Sequence, residues 1–189
     1  MEDVQMAKHA LVILADGFEE IEGTTATDLL RRGGIAVTVA GLGGTEIRGS
    51  HDIRYTADVS LTSFAGEFDA IVLPGGMPGT LHLVESGDVV RMVQQAYSAG
   101  KLCAAICAAP RALDTAGILT NKKYTCYPGT EEKIDGGAKV DADVVRDGSV
   151  ITGRGVGAAI PFSLEIIDYL IDTETAGAIA RKVVFDWKK

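Results

Sequence analysis

The stretch Leu102-Cys103-Ala104-Ala105-Ile106-Cys107-Ala108-Ala109-Pro110 reads as a buried strand that turns sharply into a helix. An apolar run leads up to Cys107, alanines flank the thiol, and Pro110 stands where a helix begins. A nucleophile on such an elbow is held strained and exposed. It needs small neighbours, because a side chain at either flank would collide with the returning backbone. Ala105 and Ala109 stand two residues to either side of Cys107, where the serine form of the motif carries glycines.

Outward from this elbow, short apolar runs alternate with amphipathic stretches. His9–Ala15, Ile35–Ala40, Ala70–Leu73, Leu102–Ile106 and Val150–Thr152 read as strands. Most of them lack polar residues, as in a parallel sheet covered on both faces. Helical patterns cover Glu20–Arg32, Val89–Ala99, Arg111–Ala116, Ala158–Leu170 and Thr175–Val184. Gly33-Gly34 closes the first helix and Asp88 is the expected cap of the second. Arg146-Asp147-Gly148-Ser149 reads as a hairpin turn joining Val140–Val145 to Val150–Thr152. The expected fold is one α/β domain over residues 1–189, a flavodoxin-like, doubly wound, mostly parallel sheet with a nucleophile elbow.

Composition narrows the partners. The chain has 18 Lys and Arg against 26 Asp and Glu, a net charge of −8. That balance argues against binding nucleic acid or an anionic membrane. Met1–Lys8 reads as a flexible polar tail, and no apolar run approaches the length of a membrane span. Three cysteines without a CxxC pair suggest no disulfide framework and a reducing, cytoplasmic setting. The 23 glycines in 189 residues exceed the roughly 7% of average proteins, and the excess falls at the ends of apolar runs.

In an open α/β sheet, ligands sit beyond the carboxyl ends of the strands, where strand order reverses. Asp16–Glu22, Pro74–Gly79 and Cys107 each follow a strand and should converge there. None of the three histidines is a promising base for Cys107. His9 starts a strand, His82 follows the glycine loop as a surface or loop residue, and His51 lies on a projecting hairpin over Ile47–Tyr55. A Cys–His triad is therefore unsupported.

The acidic residues remain. A carboxylate beside a thiol raises its pKa, whereas a protonated acid donates a hydrogen bond to the thiolate. A neutral, buried Glu22 is the preferred partner, one turn into its helix, with Asp16, Glu19 and Glu20 as competitors. The expectation is a markedly depressed Cys107 pKa. Gly75 and Gly76 offer backbone N–H groups to a developing oxyanion. Gly153–Ala158 superficially matches a dinucleotide fingerprint but has no later strand to bring a ribose-binding acid. No phosphate loop and no metal-spaced Cys/His cluster occurs, so no metal is expected. Cys103 reads as an inert core thiol. Cys126 reads as a partly buried structural thiol, with a resolving role as the alternative.

These motifs, in this order, resemble the ThiJ/PfpI superfamily, within it the branch that contains the parkinsonism-associated protein deglycase and glyoxalase III. The resemblance runs through Ala10–Ala15, Glu19–Glu22, Asp28–Ile35, Val72–Gly76, Ala104–Pro110 and Gly153–Gly155. It matches Cys107 to the reactive cysteine, Glu22 to the acid that hydrogen-bonds it, and Gly75, Gly76 and Ala108 to oxyanion donors. The protease-like branch has a histidine directly after the cysteine, where this chain has Ala108, which argues against peptidase activity. Some relatives have a histidine at Tyr127, whose hydroxyl is the substitute donor for substrate.

The resemblance implies a homodimer involving the Glu20–Arg32 helix, with a His51–Asp28 contact between subunits. It also implies a cofactor-free enzyme that converts methylglyoxal and glyoxal to 2-hydroxy acids or deglycates proteins, in defence against carbonyl and oxidative stress. The alternative is a redox-sensing chaperone or regulatory protein whose Cys107 is oxidised to sulfinic acid.

Overall fold

The computed structural model describes residues 7–188; most of the expected tail, Met1–Met6, lies outside them. In chain order the elements are β1 (His9–Leu14), α1 (Glu20–Arg32), β2 (Ala36–Gly41), β3 (Glu46–Arg48), β4 (Arg54–Thr56), β5 (Val59–Ser60) and β6 (Ala70–Leu73). Then come α2 (Gly79–Glu85), α3 (Gly87–Ser98), β7 (Leu102–Ile106), α4 (Pro110–Thr115), β8 (Lys123–Tyr124) and β9 (Ala138–Lys139). The chain closes with β10 (Val144–Asp147), β11 (Val150–Gly153), α5 (Ala159–Leu170) and α6 (Thr173–Lys182).

Seven strands form the main sheet in the order β10-β11-β7-β6-β1-β2-β5. Every pairing is parallel except β10 with β11, the expected hairpin. The run β2-β1-β6-β7-β11 is flavodoxin-like, and its order reverses between β1 and β6. Register aligns the carboxyl ends there: Val12 pairs with Val72, and Leu73 with Ala105. The three following loops therefore emerge side by side.

Each central strand is apolar throughout yet serves two cores, because alternate side chains point to opposite faces. Val12, Val72 and Ala104 pack against α1, α5 and α6 through Leu30, Phe162 and Ile179. Leu11, Ile71 and Cys103 face α2, α3 and α4 through Leu83, Val93 and Leu113. Burial on both faces is why these strands show no polar alternation.

The structure corrects several local expectations. Ser86, not Asp88, caps α3, its hydroxyl accepting from the Val89 N–H at 3.3 Å. The glycine loop leads into a short helix, α2, so His82 is helical. Its ring Nδ1 lies 2.9 Å from the Asp16 carbonyl. The strand expected at Val140–Val145 starts only at Val144, and the strand before Cys126 is just Lys123–Tyr124. Both are short edge segments, for which a few branched residues are an imprecise signal.

Candidate active site

Cys107 sits directly after β7 with φ +65°, a conformation rare for any residue but glycine. The turn is held from both sides. The Cys107 N–H donates to the Gly153 carbonyl at 2.9 Å, and the Cys107 carbonyl accepts from the Tyr127 N–H at 2.8 Å. Gly75 explains the close approach of the neighbouring loop. A Cβ there would stand 2.7 Å from the Cys107 Cβ and 2.8 Å from the Ile106 carbonyl oxygen. Gly76 follows at φ +91°, which aims the loop across the thiol.

Glu22 reaches the same point from the first turn of α1. It is 1% exposed, and its Oε2 accepts the Gly75 N–H at 2.8 Å. Its Oε1 is buried with no partner meeting strict hydrogen-bond geometry among the described residues, while the carboxyl interacts with the Cys107 side chain. Burial pushes Glu22 up to about 7, against the lowering effect of Gly75 and Cys107. Desolvation outweighs the helix N-terminus, which favours a negative charge.

The thiol departs from the sequence expectation. Burial pushes Cys107 up to about 12, and the Glu22 charge adds to the rise. The N–H groups of Gly76 and Ala108 act in the depressing direction, but burial first and the Glu22 charge second outweigh them. The two groups titrate as a pair. Burial raises both members, and the charge of each discourages that of the other, so the pair resists taking a second negative charge.

The structure thus brings Cys107, Glu22, Gly75, Gly76 and Ala108 together. Tyr127 lines the cleft beside Cys107 but is 55% exposed. Of the competing acids, Glu19 lines the cleft as well. Asp16 instead accepts the Arg48 N–H at 2.8 Å. Glu20 turns to the β3–β4 hairpin, where its Oε1 accepts the His51 N–H at 2.6 Å and its Oε2 lies 2.9 Å from the ring Nδ1. Burial alone would raise Glu20, but His51 and Ser50 hold it down to about 2. Within one chain His51 pairs with Glu20, and Asp28 with Arg32.

Glu19, Glu20 and His51 bring their ligand atoms within 4.8 Å of one another. Their separation in sequence hid this grouping. The hydrogen bonds of Glu20 already account for it.

Cys103 is fully buried, and desolvation raises it to about 12. Cys126 is also fully buried rather than partly so, with its thiol turned to Glu131 at 3.8 Å. The cleft over Cys107 measures about 570 Å³ and also takes in Met77, Arg111, Lys133 and Val156. Sequence reading missed these four. Arg111, four residues past the thiol on the ensuing helix, was the one most open to detection.

Fold and site define a flavodoxin-like α/β protein with a cysteine on a strained strand-to-helix elbow and a buried glutamate against it. The chain belongs to the DJ-1/PfpI family, whose model matches residues 8–169. It is 43% identical over 180 residues to Protein dj-1beta of Drosophila melanogaster, covering 93% of this chain and 96% of that protein. It is 34% identical over 178 residues to the Glutathione-independent glyoxalase DJR-1.2 of Caenorhabditis elegans, covering 92% and 95%. The crystal structure of Drosophila melanogaster DJ-1beta superposes with a TM-score of 0.93 at 41% identity, covering 96% of this chain and all of that one. Among the described residues, no helix is long and apolar enough to cross a membrane.

Proposed function

We propose that this protein is a glutathione-independent, cofactor-free glyoxalase that converts methylglyoxal to lactate and glyoxal to glycolate. One observation carries the reading. A cysteine at positive φ on a cleft lies against a buried carboxyl raised to about 7, under two backbone N–H groups. The name of the 34% identical nematode glyoxalase supports it.

The competent form is the tautomer of the singly charged pair with its proton on Glu22 and its charge on sulfur. It is a minor form, because burial holds the thiol proton more tightly than the carboxyl proton, and attack on the carbonyl draws it down. The thiolate adds to the aldehyde carbon, and the carbonyl electron pair moves onto oxygen. The N–H groups of Gly76 and Ala108 stabilise that oxyanion, and proton uptake gives a hemithioacetal. Glu22 then carries a proton from the former aldehyde carbon to the neighbouring carbonyl carbon, through an enediol. The first carbon is oxidised and the second reduced, leaving a thioester of the 2-hydroxy acid. Water cleaves the thioester, restoring the thiol. One dicarbonyl and one water give one hydroxy acid, with no external oxidant. At a glycated cysteine, lysine or arginine the Cys107 thiolate takes the place of the protein thiol or amine on the hemithioacetal or aminocarbinol carbon, the repaired side chain leaving with a proton. The same steps follow to give the deglycase activity, and the working form is a homodimer.

The test is lactate production from methylglyoxal without glutathione. Cys107→Ser is expected to lose turnover by roughly a thousand-fold or more, the scale on which enzymes lose rate with a nucleophile. Wild-type kcat/KM is expected to rise as pH passes about 7, where the pair acquires its single charge. Equal lactate formation by Cys107→Ser overturns the reading. The rival reading, a redox sensor, draws on the half-buried thiol beside an acid whose buried Oε1 is free to donate once protonated. Negligible turnover, with peroxide adding two oxygens at Cys107, favours that role.

A further inference from the structure

The cleft over Cys107 is cationic on one side, in a chain of net charge −8. Its charged and titratable lining residues are Glu19, Cys107, Arg111, Tyr127 and Lys133. Arg111 comes from the first turn of α4, and Lys133 ends the short 3₁₀ turn Thr130–Lys133. Two unrelated segments thus bring positive charge to the same opening. Neither side chain has an acidic partner among the described residues, whereas neighbouring Lys139 is paired with Glu131. Glu19, the one acid in the lining, is directed to the β3–β4 hairpin, and Glu22 lies buried beneath Cys107. The Glu19 Oε2 lies 3.4 Å from the Ser50 hydroxyl and 3.7 Å from His51 Nδ1. The two cations at the mouth thus have no ion-pair partner among the described residues, while Glu19 turns toward the hairpin and the Cys107–Glu22 pair lies at the floor.

Size points the same way. A cleft of about 570 Å³ falls within the range of about 300–1,000 Å³ typical of small-molecule sites. Methylglyoxal, with five heavy atoms and no charge, fills a small part of it and offers the two cations no anionic group. The arginine fork matches the paired oxygens of a carboxylate or phosphate, and the lysine supplies a point charge beside it.

We propose that Arg111 and Lys133 select small aldehydes or oxo compounds whose far end carries a carboxylate or phosphate, holding that end while the carbonyl meets Cys107. The proposal rests on the glyoxalase reading for the word substrate, but its test reads the thiol directly and fails separately. Second-order alkylation of Cys107 is followed by mass spectrometry with iodoacetate and with iodoacetamide, at about 0.15 M salt, where long-range fields are screened. Each rate is referred to that of free cysteine.

Wild type is expected to favour the anionic reagent, relative to free cysteine, by roughly three- to ten-fold, the low end of electrostatic focusing in clefts. Arg111→Gln with Lys133→Gln should remove the preference, read as the ratio of the iodoacetate to the iodoacetamide rate, so that a change in thiolate fraction common to both reagents cancels. Arg111→Lys, which keeps the charge, should retain most of the preference. Inorganic phosphate and acetate are then tested as protectants. Protection by phosphate alone assigns a phosphate end, and protection by acetate assigns a carboxylate. An iodoacetate preference no greater than that of free cysteine, a preference unchanged in the double variant, or protection by neither anion overturns the proposal. Absent methylglyoxal turnover with the anion preference intact overturns only the choice of reaction.

Discussion

Glu22→Gln offers the sharpest test of the buried acid, because it reads stability rather than catalysis. The carboxyl moves from 4.5 to about 7 in the folded chain, driven by burial. Between these values the folded protein keeps a proton that the unfolded chain has lost. Stability therefore falls as pH rises through this window. At about 1.4 kcal/mol per pKa unit the loss is about 3 kcal/mol, a drop of roughly 1–2 M in the urea midpoint. Glutamine keeps the shape of the side chain. Its oxygen can still accept the Gly75 N–H, and its amide can turn to the sulfur.

The assay is urea unfolding of both proteins between pH 4.5 and 8, with the difference between them plotted against pH. His51 titrates nearby but is present in both, so its contribution cancels. Wild type is expected to lose about 3 kcal/mol relative to the variant across the window. A flat difference would show that Glu22 ionises at its ordinary pKa, and the account of a carboxyl raised by burial against Cys107 would fail with it.

Two further perturbations test the framework around the thiol. Gly75→Ala places a Cβ 2.7 Å from the Cys107 Cβ and should destabilise the fold by about 1–3 kcal/mol in denaturant unfolding; an unchanged midpoint would deny the close approach. His51→Ala removes the main partner that holds Glu20 down to about 2. The stability from that depressed carboxyl is present above its unfolded value of 4.5 and lost as pH falls toward 2. The variant should accordingly unfold in acid at a higher pH than wild type, followed by circular dichroism, and coincident acid transitions would refute the pairing.

How far the sequence reached depended on whether a signal was local. Apolar runs with no polar alternation announced strands buried on both faces, and Val12, Ile71 and Ala104 are indeed wholly enclosed. The Gly148 turn announced the one antiparallel pairing of the main sheet. Small edge strands and helix caps were misplaced by a few residues, since Ser86 and Asp88 are both good capping residues and only backbone geometry chooses between them.

From the chain alone, then, came the layered α/β sheet, the elbow at Cys107 and the glycines that let a loop lie against it, because periodicity and residue size constrain their own neighbourhoods. Tertiary structure alone decided which of four nearby acids lies against the sulfur, and that Glu20 is bound to His51 instead. It also decided that burial raises both members of the reactive pair and that Arg111 and Lys133 face one opening. Those properties depend on desolvation and on distances between segments far apart in the chain, and neither is encoded in any short stretch of it.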